Sequence, residues 1–204
     1  MIVDLEAASA KQAYFLLSKT LIPRPIAWVL SENSQGGLNL APFSYFSGVC
    51  SDPPLLMLSI GKKSDGTPKD SRANIQERRD FVIHIPDRPL LKSMVDSSGE
   101  FPEEVSEVEM LQLGVSDFPG SRLPRLTDCP IAYGCTLYRI EEIGPKGQAM
   151  ILGEVKTIYM ADEVAEGDPA GRIQIHTDRI DVLGRLGGDE YYANGKILRV
   201  PRPK

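Results

Sequence analysis

Small hydrogen-bonding side chains lie on or beside apolar segments of the chain, close to a predicted helix start. In chain order they are Asn39, Ser44, Ser47, Ser59 and Ser71, with Lys69 just before the last. Free amides at a helix N-terminus attract anions, and a nearby ammonium and hydroxyl add donors. This combination fits a phosphate group. The alternative is that Asp70 or Ser71 only caps the helix and that Lys69 is solvated.

Signatures of side-chain catalysis and of metal binding are sparse. The chain has two histidines, His84 and His176, which are too few for a multi-histidine metal site. His84 lies inside the apolar run 81–85, where a hydrogen-bonded structural histidine is favoured over a catalytic one, and His176 is interpreted in the same way. Gly187-Gly188 lies in neither a dinucleotide nor a P-loop motif. We therefore predict no catalytic side chain and no metal site.

The cysteines indicate a reduced protein. Cys50, Cys129 and Cys135 make an odd number and have no C-x-x-C spacing, which disfavours a disulfide framework and a thiolate zinc site. We predict that all three pack in the core. A cytoplasmic location is the corresponding expectation.

Composition excludes several classes of function. The 204 residues are 42% hydrophobic and 25% charged, as in a globular protein. The 23 basic and 28 acidic residues give a net charge of −5 without a basic stripe, which argues against nucleic-acid binding. Apolar stretches of about five to seven residues fall far short of the roughly 20 needed to cross a bilayer. No membrane span and no secretory leader are expected.

The elements that must position these polar groups follow from periodicity and turn residues. In the first half of the chain the pattern predicts a helix over 4–19, strands over 26–30 and 38–47 joined by the turn 31–37, a strand over 55–60, a helix over 69–78 and a strand over 81–85. Pro42 cannot donate a ladder hydrogen bond, so its part of the strand is expected at an edge, at a bulge or facing a ligand.

The second half adds two helical faces and two long strands. The apolar positions Leu90, Leu91, Met94 and Val95 predict one short helix, and an acidic stretch around Val108 predicts another. Strands over 131–140 and 150–160 flank the turn 144–147. About six or seven strands with few helices favour a mainly β fold, an antiparallel barrel with peripheral helices. No linker divides the chain, so we predict a single domain over 1–204.

Several motifs together resemble one family. They read RPIAWV (24–29), NLAPFSYF (39–46), SDPP (51–54) before the strand ending at Ser59, KDSRANI (69–75), CPIA (129–132), GEV (153–155) and RLGGDEY (185–191). In order and spacing, over about residues 14–192, they resemble the flavin reductase-like, FMN-binding split-barrel family. The resemblance implies a six-stranded antiparallel split barrel and a homodimer with FMN near the dimer interface.

The resemblance also assigns cofactor-binding residues. It implies that Asn39, Phe43, Ser44 and Tyr45 line the flavin, that Lys69, Ser71 and Asn74 form the phosphate side, that Arg24 reaches the phosphate, and that Ser59 closes the intervening strand. Packing in the core or in an interface is the alternative for Phe43 and Tyr45.

The implied activity is that of an FMN-dependent oxidoreductase passing hydride or electrons through bound flavin, with NADH or NADPH as a candidate donor. Many reductases of the family carry a Gly-Asp-His motif where this chain reads GPKGQAM (144–150), with Gln148 or Ala149 near the place of the histidine. Electrons could therefore come from a redox partner protein instead. A non-catalytic FMN-binding, storage or electron-carrier protein is the alternative. A barrel that binds haem or another flavin-like cofactor is a third.

Overall fold

A computed structural model describes residues 1–193 and 195–200 of the chain. The described α-helices are α1 (Ala10–Thr20), α2 (Asp70–Arg78), α3 (Leu91–Asp96) and α4 (Glu107–Met110), and short 3-10 helices lie at Arg88–Leu90 and Thr177–Arg179. The described strands are β1 (Arg24–Pro25), β2 (Ala27–Glu32), β3 (Leu38–Phe43), β4 (Phe46–Ser51), β5 (Pro54–Ile60), β6 (Asp80–Ile85), β7 (Val115–Ser116), β8 (Arg125–Leu126), β9 (Ile131–Ile143), β10 (Gln148–Met160), β11 (Ala165–Gly167), β12 (Ile173–Ile175), β13 (Gly184–Gly187) and β14 (Glu190–Tyr192). None of the described helices has the length and apolarity needed to span a bilayer.

One large antiparallel sheet organises these elements. Its strand order is β3-β2-β6-β9-β10-β5-β4, and β1, β13 and β14 form a smaller sheet. The edge strands β3 and β4 are separated in the chain only by Ser44 and Tyr45. The two edges must therefore lie near each other, and β3 also contacts β5, as a sheet curled into a barrel requires. The mainly β antiparallel barrel with peripheral helices is confirmed.

The number of strands differs from the implied six, since the large sheet has seven. The predicted strand over 38–47 breaks at Ser44, so that β3 pairs with β2 while β4 pairs with β5. A single apolar run does not reveal such a break, because both halves have strand propensity. Pro42 does lie on an edge strand, as its missing N–H predicted.

The core lies on both faces of the central strands. Trp28 and Leu30 of β2 belong to one buried cluster, and Ala27 and Val29 belong to another. Because side chains alternate along a strand, β2 is buried on both sides. Trp28 is fully buried, and its indole N–H donates to Ser97 Oγ at 2.8 Å, which fixes the end of α3 against the sheet. Full burial of such a side chain contributes about 1.5–3 kcal/mol.

Helix starts differ from the predicted ones for reasons of capping. Helix α1 begins at Ala10 rather than Asp4, because Ser9 and Gln12 form a reciprocal capping box with Ser9 N–H donating to Gln12 Oε1 at 2.9 Å. At α2 the N-cap residue is Lys69, and no side chain caps the helix. The alternative in which Asp70 or Ser71 caps α2 is therefore wrong. Asp70 forms an ion pair with Lys63 at 2.6 Å instead.

The outcome for the cysteines is mixed. Cys129 and Cys135 are buried as predicted, and all three cysteines are free. Cys50 is exposed, so the core prediction is wrong for it. The reason is its place on β4, an edge strand with exposed residues at five of its six positions.

The structural interpretation of His84 is confirmed. The ring is fully buried on β6, with Nδ1 3.1 Å from the carbonyl of Trp28 on the neighbouring strand. The N–H of Leu126 donates to Nε2 at 2.9 Å. Both ring nitrogens are therefore used within the fold, with the proton on Nδ1. Burial lowers the pKa of His84 from 6.5 to about 4, because the charged ring loses hydration.

This buried neutral histidine predicts a pH dependence of stability. Because the folded-state pKa is depressed, the stabilisation is present above pH 6.5 and is lost as the pH falls from 6.5 towards 4. His84→Gln keeps one donor and one acceptor but does not titrate. Between pH 7 and pH 5, we expect urea unfolding to show a loss of free energy about 2 kcal/mol larger for the wild type than for the variant. Equal losses would contradict the assignment.

Candidate functional site

A cleft of two adjoining pockets opens where the chain bends between β3 and β4 and where α2 begins. It consists of a larger pocket of about 430 Å³ and a smaller pocket of about 120 Å³. The two share four lining residues, Pro42, Phe43, Lys69 and Ser98. The larger pocket alone has the volume of a small-molecule site.

The cleft brings together eight of the nine residues predicted to bind a cofactor. The larger pocket is lined by Arg24, Phe43, Ser44, Tyr45, Ser59 and Lys69, and the smaller pocket by Asn39, Phe43, Lys69 and Ser71. Asn74 lies outside the lining of both pockets. Its amide Nδ2 donates to Ser31 Oγ at 3.2 Å, so its observed contact ties α2 to β2.

A buried polar cluster forms one wall of the smaller pocket. Asn39 on β3 donates from Nδ2 to Ser71 Oγ at 2.9 Å and to Ser31 Oγ at 3.2 Å. Asn39, Ser31 and Ser71 are each at most 7% exposed. The cluster therefore fixes the first turn of α2 against the edge of the sheet, and it holds the Ser71 hydroxyl beside the pocket.

Charges of both signs surround the smaller pocket. Lys69 precedes the first turn of α2, whose amides receive no side-chain cap. The hydrogen bond and ion pair with Asp70 raise the pKa of Lys63. Glu107 is also buried there and accepts from Leu40 N–H at 2.9 Å, and burial raises the pKa of its carboxyl. The amides, Lys69 and Ser71 form a donor set suited to an anionic oxygen group.

Arg24 reaches the larger pocket but is already held by the fold. Its Nη1 donates to the carbonyls of Ser18 at 2.5 Å and Leu21 at 2.7 Å, at the end of α1. Its Nε donates to Ser44 Oγ at 3.3 Å, and its guanidinium lies 5.6 Å from the centre of the Tyr45 ring. Arg24 thus joins α1 to the bend between β3 and β4, and it lines only the larger pocket.

Aromatic and amide groups form the rest of the larger pocket. The Tyr14 ring stands edge-on to Tyr45, with 6.5 Å between centroids. Gln148 donates from Nε2 to Ser59 Oγ at 3.0 Å, and Ser59 N–H donates to the Tyr45 carbonyl at 2.9 Å. Gln148 lines the pocket, whereas Ala149 is fully buried in the core. Of these two positions near the missing histidine, only Gln148 faces the cleft.

Several lining residues were not identified from the sequence. They include Tyr14, Ser18, Lys63, Ser98, Glu100, Glu107, Arg185 and Tyr191. Arg185 and Tyr191 lie in the quoted motif 185–191, which was a usable signal. Ser98 follows α3 and carries no local signal, because only the packing of α3 against the sheet brings it to the cleft.

Comparison with known proteins decides the family. A family model described as a flavin reductase like domain matches residues 18–179. The chain belongs to the flavin reductase-like family. A protein with a split barrel domain from Shewanella frigidimarina shares the fold at 18% identity, with a TM-score of 0.81 and coverage of 98% of this chain and 96% of that chain.

Two solved structures are more similar to this flavin reductase-like chain. Nitrilotriacetate monooxygenase component B from Bacillus cereus has a TM-score of 0.89 and 28% identity, with 98% of both chains covered. The 2-nitrobenzoate 2-nitroreductase from Pseudomonas fluorescens has a TM-score of 0.88 and 30% identity, with 100% of this chain and 96% of that chain covered.

Proposed function

We propose that the cleft binds FMN and that the protein is an FMN-dependent oxidoreductase. The observation that carries this proposal is the hydrogen bond of 2.9 Å between Asn39 and Ser71 beside the uncapped start of α2, in a pocket that shares four lining residues with a larger aromatic one. The arrangement offers anion donors at one end and room for a ring system at the other. The family and the two neighbours named as a monooxygenase component and a nitroreductase support an enzyme.

The phosphate end of the proposed site is the smaller pocket. The first-turn amides of α2 and its dipole favour negative charge, and Lys69 adds an ammonium group. The Ser71 hydroxyl accepts from Asn39, which leaves its own O–H free to orient towards a phosphate oxygen. Asn74 contributes indirectly at this end, because its side-chain amide donates a hydrogen bond to Ser31 and so ties α2 to β2.

The ring end is the larger pocket. Phe43 and Tyr45 give it apolar walls, while Ser44, Ser59 and Gln148 offer hydrogen bonds to the polar edge of a flavin. When bound, FMN supplies the hydride and electron transfer, so no side chain of this protein needs to be a nucleophile or a general base. The residues bind the flavin, orient it and adjust its ring electronics.

Two versions of this function differ in the electron donor, which is either a nicotinamide nucleotide or a redox partner protein. NADH or NADPH is the candidate donor for an enzyme of this family. Gln148, a neutral amide hydrogen-bonded to Ser59, lines the pocket near the position where many reductases have histidine. This observation favours a second candidate, an FMN electron carrier that is reduced by a redox partner protein.

We propose a homodimer with the cleft near its interface. Helix α1 buries only Ser18, and it exposes Tyr14, Phe15 and Leu17. Such a surface is costly to leave in water, and Tyr14 also lines the larger pocket. A monomer mass in light scattering of the FMN-loaded protein would contradict this proposal. One domain over 1–204 and a cytoplasmic location complete the proposal.

Removal of the phosphate donors is expected to weaken FMN binding. Lys69→Ala combined with Ser71→Ala removes an ammonium and a hydroxyl, each contributing about 1–3 kcal/mol when its partner is charged. We expect at least a tenfold rise in the FMN dissociation constant, which corresponds to about 1.4 kcal/mol. Quenching of FMN fluorescence on titration measures it.

The control for this double variant is Lys92→Ala with Ser34→Ala, which removes the same groups from exposed positions outside both pockets. Circular dichroism establishes that both double variants are folded. An unchanged dissociation constant in the folded Lys69/Ser71 variant would reject the phosphate assignment.

Anaerobic stopped-flow reduction separates the enzyme from the carrier. FMN-loaded protein is mixed with NADH, with NADPH or with dithionite, and bleaching of the visible flavin band is followed. A nicotinamide-dependent reductase is expected to bleach with at least one nucleotide at a rate that saturates with its concentration. Bleaching by dithionite alone would reject direct nicotinamide oxidation and favour the carrier.

A further inference from the structure

Two arginines face each other in the wall of the larger pocket. Arg24 on β1 is the register partner of Arg185 on β13, and both line this pocket. Like charges directly opposite each other in a strand pair are destabilising. Lys69 is a third cation of the pocket, and no aspartate or glutamate is found among the described residues that line it. Among the described residues, neither arginine forms an ion pair. The pocket wall therefore concentrates positive charge that the described residues do not balance.

The two arginines differ in how far the fold satisfies them. Arg24 donates to two backbone carbonyls and to Ser44. Arg185 Nη1 is buried and has no hydrogen-bond partner among the described residues. The Arg185 guanidinium lies 4.4 Å from the centre of the Tyr191 ring, which holds it in place but accepts no conventional hydrogen bond. Buried donors are nearly always paired in native proteins, so Arg185 Nη1 calls for an acceptor that the described part of the chain does not supply.

The position of Arg185 separates it from the phosphate end. Lys69 lines both pockets, whereas Arg24 and Arg185 line only the larger one. The larger pocket is also where the aromatic pair Tyr14 and Tyr45 lies. A ligand group that satisfies Arg185 is therefore distinct from the group that the start of α2 binds.

We propose that Arg185 binds the anionic group of a second, aromatic small molecule that meets the flavin in the larger pocket. This inference rests on the proposed function, because it takes the smaller pocket for the FMN phosphate. The planar fork of an arginine matches the two oxygens of a carboxylate or a phosphate. The carboxylate of an aromatic acid and the phosphate of a nicotinamide nucleotide share this chemistry.

The test compares anionic and neutral probes on FMN-loaded protein. Benzoate and benzamide are titrated, and the shift of the visible flavin absorption gives each dissociation constant. In the wild type, benzoate is expected to bind at least about tenfold more tightly than benzamide. In R185Q the two constants should become nearly equal. R139Q removes an exposed arginine from β9, outside the lining of both pockets, and should keep the wild-type ratio.

A second pair of probes distinguishes the source of the anion. Nicotinamide mononucleotide and nicotinamide riboside differ by one phosphate. If only benzoate is preferred over its neutral partner and the preference requires Arg185, the second ligand is an aromatic acid. If only the mononucleotide is preferred over the riboside in this way, the second ligand is a nicotinamide nucleotide. Both preferences together also support the proposal. No preference in either pair, or a preference that survives in R185Q, overturns it.

FMN titration separates failure of this inference from failure of the proposed function. Wild-type protein that does not bind FMN contradicts the proposed function, and this inference falls with it. If R185Q folds but has lost its affinity for FMN, Arg185 binds the flavin itself. This result overturns the present inference and leaves the proposed function standing. If R185Q does not fold, R185K is tested in its place, because lysine keeps the positive charge but lacks the planar guanidinium. Its benzoate preference should fall below that of the wild type, and an unchanged ratio overturns the inference.

Discussion

The bend at Ser44 and Tyr45 is the constraint on which the rest of the structure depends. It makes two successive strands the opposite edges of one seven-stranded sheet, so the sheet must curl until its edges meet. The hydrogen bond from Ser59 N–H to the Tyr45 carbonyl holds the bend against β5, and Arg24 holds it against α1. The residues of the bend and those that hold it, Arg24 and Ser59, also line the larger pocket, so fold and site share one cause.

Elements with strong local signals were predictable from the sequence. The segments that became β2, β5 and β6 are short apolar runs bounded by turn residues, and they follow the predicted bounds closely. The break at Ser44 was not predictable, because Phe43 and Phe46 both favour strands and only the pairing partners change there. The start of α1 depended on the Ser9 and Gln12 capping box, which competes with a longer helical pattern.

The site was predictable only in part. Asn39 and Ser71 lie 32 positions apart, and the sequence motifs placed them together correctly. Asn74 shares the helix and the motif, yet its side chain turns to Ser31 and leaves the pocket lining. Tyr14 and Ser98 enter the cleft through helix packing, which local spacing does not encode. The sequence did not mark Arg185 as a candidate binding residue, because its position opposite Arg24 follows only from the strand register.

A crystal structure of the FMN complex tests the central claim most directly. The phosphate oxygens are expected within hydrogen-bond distance of Ser71 Oγ and of the first amides of α2, with the ring system beside Phe43 and Tyr45 in the larger pocket. Flavin bound elsewhere on the molecule, or bound in the cleft with its phosphate at Arg185 and its ring near α2, would contradict the account.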